Sequence, residues 1–137
     1  MPENKACFID TNVWLYAFIT EDEPKTKKAQ AIIKGCEPVV STQVINEVCT
    51  NLIKKAEFPE HKINQLIETF FAEYRVVESD KGIMLAASQL RKEYSLSFWD
   101  STILAAALEA GVSILYSEDM QTDLIVRKYL RVINPFK

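Results

Sequence analysis

The chain has 137 residues, of which 48% are hydrophobic and 26% are charged, the proportions of one globular domain with a single buried core. A formal net charge of −3 and a pI near 5.2 exclude a protein that coats nucleic acid through bulk basicity. Only three glycines and five prolines exclude collagen-like and low-complexity chains. We therefore predict a single domain over residues 1–137.

Short apolar runs alternate with amphipathic segments along the chain. In chain order, the periodicity predicts a strand at 6–9, helices at 12–18 and 24–34, a strand at 38–42, a helix at 42–56, a helix that opens at Pro59, a strand at 75–78, helices at 80–94 and 97–110, a strand at 112–116, a short helix near 124–128 and a last strand at 130–134. The alternation predicts an α/β fold, a three-layer α/β/α sandwich with a central parallel sheet of about four to five strands.

The cysteines and the single histidine speak against a zinc site. Cys7, Cys36 and Cys49 are odd in number and widely spaced, so we expect reduced thiols rather than a disulfide framework. His61 lies in a polar stretch, which predicts a solvated imidazole.

No signal peptide is visible, and no apolar run approaches the roughly 20 residues that span a bilayer. We therefore expect a cytoplasmic protein.

Two acids follow predicted strands, at the edge of an open α/β sheet where ligands bind. Asp10 follows the strand at 6–9, and Asp119 follows the strand at 112–116. The chain has neither a glycine-rich phosphate loop nor a Gly-x-Ser-x-Gly elbow, which disfavours a nucleotide cradle and a serine nucleophile. Helix capping by Asp10 and ordinary turn formation by Asp119 remain the alternatives to a ligand site.

A third acid, Asp100, falls on the core-facing stripe of its predicted helix. The other positions of that stripe are Ile103, Leu104, Ala107 and Gly111. Burying an unpaired carboxylate costs several kcal/mol or more, so Asp100 is predicted to be paired, protonated or bound to a cation. Helix capping by Asp100 is the alternative, although Ser97 fits the cap better. Glu47 lies off the apolar stripe of its helix, and periodicity alone predicts a solvated side chain.

Four segments that carry these acids resemble the motifs of the PIN domain family. They occur in the family's order and together span positions 8 to 121. The segments are Phe-Ile-Asp-Thr-Asn-Val at 8–13, Ser-Thr-Gln-Val-Ile-Asn-Glu-Val at 41–48, Trp-Asp-Ser-Thr-Ile-Leu-Ala-Ala-Ala at 99–107 and Leu-Tyr-Ser-Glu-Asp-Met-Gln at 115–121. The subgroup that the chain most resembles is the VapC-like toxins of prokaryotic toxin–antitoxin pairs.

The resemblance implies a metal-dependent ribonuclease, of the endonuclease type, with an RNA substrate, a cognate antitoxin and a homodimeric assembly. The implied catalytic and metal-binding acids are Asp10, Glu47, Asp100 and Asp119, and the implied supporting polar residues are Thr11, Asn12 and Ser117. Asp123 is implied as a peripheral acid, and Glu118 is expected to face solvent. Carboxylate oxygens suit Mg²⁺ or Mn²⁺, and such a site hydrolyses phosphodiesters without a histidine.

Two other functions remain as alternatives. A haloacid-dehalogenase-like phosphatase needs an Asp-x-Asp after the first strand, and Asn12 stands at the second of those positions. A non-catalytic PIN-fold module that binds RNA or protein would be marked by the loss of an acid, and none of the four is lost. Trp14 and Trp99 are predicted to pack against apolar groups rather than to stack on bases.

Overall fold

A six-stranded sheet forms the centre of the protein in a computed structural model, which describes residues 5–137. Its strands are β1 (Ala6–Ile9), β2 (Glu37–Ser41), β3 (Arg75–Val77), β4 (Ile114–Tyr116), β5 (Ile125–Val126) and β6 (Leu130–Ile133). They lie in the order β3-β2-β1-β4-β6-β5, and only the β5–β6 pair is antiparallel. The central strands are apolar on both faces because helices cover both, and Phe8, Val39 and Leu115 are almost fully buried.

Within residues 5–137, six helices connect the strands. They are α1 (Thr11–Phe18), α2 (Glu23–Gly35), α3 (Thr42–Ala56), α4 (Glu60–Glu73), α5 (Lys81–Glu93) and α6 (Phe98–Glu109). Because parallel crossovers are right-handed, α1–α4 cover one face of the sheet, and α5 and α6 cover the other. The predicted three-layer α/β sandwich is confirmed. Within residues 5–137, no helix combines the length and the apolar character that crossing a membrane requires.

The order of the strands reverses between β1 and β4, and this reversal positions the candidate site. From β1 the chain moves outward to β2 and β3, whereas β4 lies on the opposite side of β1. Phe8 is level with both Val39 and Leu115 in the parallel ladders. The residues that follow β1, β2 and β4 therefore meet at one edge, where the sheet opens a crevice.

The two tryptophans have different environments. Trp14 is buried as predicted, and its indole N–H donates to the carbonyl of Ile9 over 3.0 Å. Its ring packs against Phe70 and Tyr74 at centroid distances of 5.0 and 5.2 Å, which attaches α1 to α4. The prediction of apolar packing is wrong for Trp99, whose surface is 62% exposed. Trp99 lies in the first turn of α6, where its ring meets that of the similarly exposed Phe98 edge to face at 5.1 Å.

The C-terminal region differs from the prediction. The short helix predicted near 124–128 is wrong, because β5 and β6 form an antiparallel hairpin there. Arg127 and Lys128 occupy its turn with φ values of 53° and 59°, the positive pair that a tight hairpin turn requires. Asn and Gly usually occupy the central positions of such a turn, and neither is present here. The hairpin raises the strand count to six, above the predicted four to five.

The prediction of reduced cysteines is wrong for one pair. The structure joins Cys7 and Cys36 in a disulfide with a Cα–Cα distance of 6.3 Å, and Cys49 is a buried free thiol. The two bonded cysteines are 29 positions apart, and they meet because the end of α2 returns to β1. Spacing in the sequence does not reveal such a contact. His61 is exposed, as predicted.

Candidate active site

Asp10 occupies the centre of the crevice and is only 7% exposed. Its backbone N–H donates to the carbonyl of Tyr116 over 3.0 Å, which continues the β1–β4 pairing by one residue. One carboxylate oxygen accepts from the backbone of Thr11 at 2.7 Å, and the other accepts from the hydroxyl of Ser117 at 2.8 Å. Asp10 also caps α1, so the capping alternative is correct and coexists with its place in the crevice.

The environment of Asp10 disfavours its charged form. Burial is the main cause and raises the pKa of Asp10 to about 6, and the negative charges of Glu47 and Asp100 act in the same direction. The hydrogen bonds from Thr11 and Ser117 lower this pKa and only partly compensate. Three of the four predicted acids are therefore close enough to interact electrostatically. A cation in the crevice would relieve this repulsion.

Glu47 is half-buried and turned toward the crevice, so the solvated side chain that periodicity predicts is wrong. One of its oxygens accepts from the hydroxyl of Thr11 at 2.6 Å, and the other accepts from the side-chain amide of Gln43 at 3.1 Å. The side-chain amide oxygen of Gln43 in turn accepts from the hydroxyl of Thr102 on α6. Gln43 stands one helical turn before Glu47, but no pattern in the sequence marks it as part of the site.

Asp100 lies in the first turn of α6 and is half-buried. The hydroxyl of Ser97 accepts from the backbone N–H of Asp100 over 3.1 Å, so Ser97 caps the helix as predicted. Because Ser97 performs the capping, the carboxylate of Asp100 is free to face the crevice. The stripe residues Ile103, Leu104 and Ala107 are buried beneath it.

Asp119 is exposed at the rim of the crevice, where its carboxylate accepts from the side-chain amide of Asn12. The three predicted polar residues therefore contact three different acids. These pairs are Thr11 with Glu47, Asn12 with Asp119 and Ser117 with Asp10. Asp123 instead forms an ion pair with Arg131 at 2.7 Å.

Glu118 does not face solvent freely, so that expectation is wrong. Its half-buried carboxylate accepts from the ammonium of Lys25 at 2.5 Å and from the hydroxyl of Tyr16 at 2.7 Å. Burial would raise the pKa of Glu118, but these two hydrogen bonds outweigh it and lower the pKa below its usual value. This contact has no signal in the sequence, because Lys25 and Glu118 are 93 positions apart.

The donor set fits a hard divalent cation, although the acids do not converge into a closed cage. Within residues 5–137, no three His, Cys, Asp or Glu side chains are placed to hold a metal ion directly. Mg²⁺ in proteins is held through one or two carboxylates and keeps several waters, so an open cluster suits it. The ion pairs of the same residues involve none of the four acids. The negative charge of Asp10, Glu47, Asp100 and Asp119 is therefore available to a cation.

Comparisons with known proteins agree on the fold. A model of the PIN domain matches residues 7–125. A toxin–antitoxin complex from Klebsiella pneumoniae contains a similar chain, with 18% identity, a TM-score of 0.69, and coverage of 94% of this chain and 97% of that one.

Two further solved structures are similar. VapC20 of Mycobacterium tuberculosis, described as a toxin that cleaves the sarcin–ricin loop, has 18% identity, a TM-score of 0.65, and coverage of 80% of this chain and 86% of that one. FitAcB of Neisseria gonorrhoeae has 15% identity, a TM-score of 0.67, and coverage of 95% and 98% respectively. No curated protein sequence matches the chain.

Proposed function

The chain belongs to the PIN domain family, and from this membership we propose that it is a Mg²⁺- or Mn²⁺-dependent endoribonuclease. The observation that carries the proposal is the arrangement of Asp10, Glu47, Asp100 and Asp119. These acids come from four separate segments and surround one crevice, and no basic side chain among the described residues forms an ion pair with any of them. A structural ion-pair network would instead place cationic side chains among its acids.

A bound divalent cation would neutralise these carboxylates, polarise a phosphodiester and lower the pKa of a water molecule to the neutral range. The chain itself supplies orientation. The backbone of Thr11 and the hydroxyl of Ser117 hold both oxygens of Asp10, while Thr11 and Gln43 hold both oxygens of Glu47. Hydrolysis at such a site proceeds by direct attack of water on phosphorus, with no covalent enzyme intermediate and no histidine.

Wild-type protein is expected to cleave a labelled RNA pool in the presence of Mn²⁺ or Mg²⁺, and EDTA is expected to abolish the cleavage. The melting temperature should also rise with Mn²⁺, because a ligand that binds only the folded state stabilises it. Both are measured on the same preparation, by gel analysis of the RNA ends and by thermal unfolding. If no cleavage is seen and the melting temperature does not change with Mn²⁺, the non-catalytic binding module is favoured instead.

We also propose that the protein is the toxin of a toxin–antitoxin pair and has a cognate antitoxin. The support is the full-length similarity to chains from toxin–antitoxin complexes, one of which covers 94% of this chain. The proposed RNA substrate has support of the same kind, since a similar structure is described as a toxin that cleaves the sarcin–ricin loop.

A homodimer is the assembly that the surface of the molecule favours. Four large apolar side chains, Met84 and Leu85 on α5 and Phe98 and Trp99 on α6, are each more than half exposed. We call them the apolar face. Three of these residues line a groove of about 660 Å³, and Gln43, Glu47 and Thr102 of the candidate site line the same groove. Clustered exposed apolar residues of this kind mark contact surfaces, and a second copy of the chain would cover them.

Replacing Met84 and Leu85 together by Lys is expected to convert the dimer into a monomer, because two ammonium groups would have to be desolvated in the interface. Sedimentation velocity measures the mass directly. Ile125→Lys is the matched control, since Ile125 is equally exposed but lies on β5 at the far edge of the sheet. A wild-type protein that sediments as a monomer, or a double variant that stays dimeric, would contradict this interface.

A further inference from the structure

In the loop that follows β4, Glu118 is held through both its side chain and its backbone. The carboxylate of Glu118 accepts from the hydroxyl of Tyr16 at 2.7 Å and from the ammonium of Lys25 at 2.5 Å. The backbone carbonyl of Glu118 accepts from the side-chain amide of Asn134 at 3.4 Å. The next residue along the chain is Asp119. The helices α1 and α2 and the C-terminal segment therefore all meet at the residue that precedes one of the four acids.

Aromatic packing shields these contacts from water. The rings of Tyr16 and Phe136 meet edge to face at 5.0 Å, and the ammonium of Lys25 lies 4.7 Å from the centre of the Tyr16 ring. The side chains of Lys25 and Glu118 are only 34% and 20% exposed, respectively. Partial burial strengthens an ion pair relative to a solvated one, because water screens it less.

Asp119 itself has few restraints. Among residues 5–137, the one hydrogen bond to its carboxylate comes from Asn12, and the residue is exposed. The direction of its side chain therefore depends on the backbone of the loop, and the backbone at 118 is held by the contacts of Glu118. Lys25 and Tyr16 are both more than 90 positions away from Glu118, so these contacts join the loop to helices from the first part of the chain.

We propose that Tyr16, Lys25 and Glu118 form a positioning clamp that sets the direction of the Asp119 carboxylate and thereby the affinity of the crevice for a divalent cation. The inference rests on the proposed metal-dependent function and adds three positioning residues to it. Residues that orient metal ligands from outside typically contribute ten- to a hundredfold to metal affinity. The clamp acts through one peptide unit rather than by touching the ligand, so we expect the lower end of that range.

Tyr16→Phe is the most informative variant, because it removes the hydroxyl and keeps the ring against Phe136. We expect it to weaken Mn²⁺ binding about tenfold, with a similar loss in Lys25→Met, and we expect Lys25→Arg to retain most of the affinity. Calorimetric titration of the metal-free protein with Mn²⁺ gives Kd for each variant. Glu93→Gln is the control, because it removes the acid of another ion pair, Glu93–Arg127, and should leave Kd unchanged.

The clamp also predicts how catalysis responds to metal. Raising Mn²⁺ should restore RNA cleavage in Tyr16→Phe, because the ligands remain and only their alignment is lost, but should not restore it in Asp119→Asn. Tyr16→Phe and Lys25→Met with the wild-type Kd, beside a weakened Asp119→Asn, would overturn the clamp and leave the metal site standing. A wild-type protein that does not bind Mn²⁺ would overturn the metal site and the clamp together.

Discussion

Asp100→Asn and Asp10→Asn are each expected to lower RNA cleavage about a thousandfold or more while the fold is retained. Each substitution removes one negative oxygen from the crevice and keeps the size of the side chain. A thousandfold loss corresponds to about 4 kcal/mol of transition-state stabilisation, within the range of a lost charge contact to a catalytic metal. The backbone cap of α6 is unaffected in Asp100→Asn, because Ser97 supplies it.

The comparison is made with saturating Mn²⁺ on the same RNA substrate, with initial rates measured for each variant. Glu109→Gln is the matched control, because Glu109 is an exposed acid on the same helix as Asp100. Circular dichroism establishes that the variants are folded. Rates for Asp100→Asn and Asp10→Asn within tenfold of wild type would refute the assignment of these acids to the catalytic site.

Asp10→Asn is also expected to stabilise the metal-free protein at neutral pH, by up to about 3 kcal/mol. The pKa of Asp10 is about 6 in the folded protein, against an ordinary value of 3.8. Below pH 4 the group is protonated in both the folded and the unfolded states, and folding is not opposed. Between pH 4 and pH 6 the unfolded chain loses this proton while the folded protein retains it, so the stability falls across that range and the full loss is reached above pH 6, where the folded state carries the buried charge. Asn has no such charge and still caps α1.

Urea unfolding in EDTA at pH 5 and pH 7.5 tests this expectation. The advantage of Asp10→Asn over wild type should be larger at pH 7.5 than at pH 5, whereas Glu109→Gln should show no such difference. Adding Mn²⁺ should stabilise the wild-type protein and narrow the gap, because the cation offsets the buried charge. An Asp10→Asn variant that is less stable than wild type at both pH values would show that the carboxylate of Asp10 is not under electrostatic strain.

The sequence alone was sufficient for those features that depend on neighbours along the chain. Apolar periodicity predicted β1, the six helices and the α/β class, because burying one face of a helix or both faces of a strand requires that pattern. Ser97 as the cap of α6 is a local signal of the same kind. The resemblance of four segments to a known family supplied the candidate acids and their order.

Other features required the folded chain, because they depend on groups that are distant in sequence. Glu47 turns into the crevice because Thr11, 36 positions earlier, donates to it, and periodicity on its own helix predicted solvent. The disulfide between Cys7 and Cys36 and the ion pair between Lys25 and Glu118 have the same origin. The β5–β6 hairpin was missed because its turn uses Arg127 and Lys128 in a backbone conformation that Gly or Asn usually marks.

The chemistry of the crevice divides in the same way. The types of acid and their places after β1 and β4 can be read from the chain, because parallel strands end at a common edge. Which hydroxyl or amide holds each carboxylate, and how strongly burial raises the pKa of Asp10, depend on distances that only the tertiary structure sets. Hydrogen bonds and desolvation act over a few ångströms in space, whereas sequence patterns report only on neighbours along the backbone.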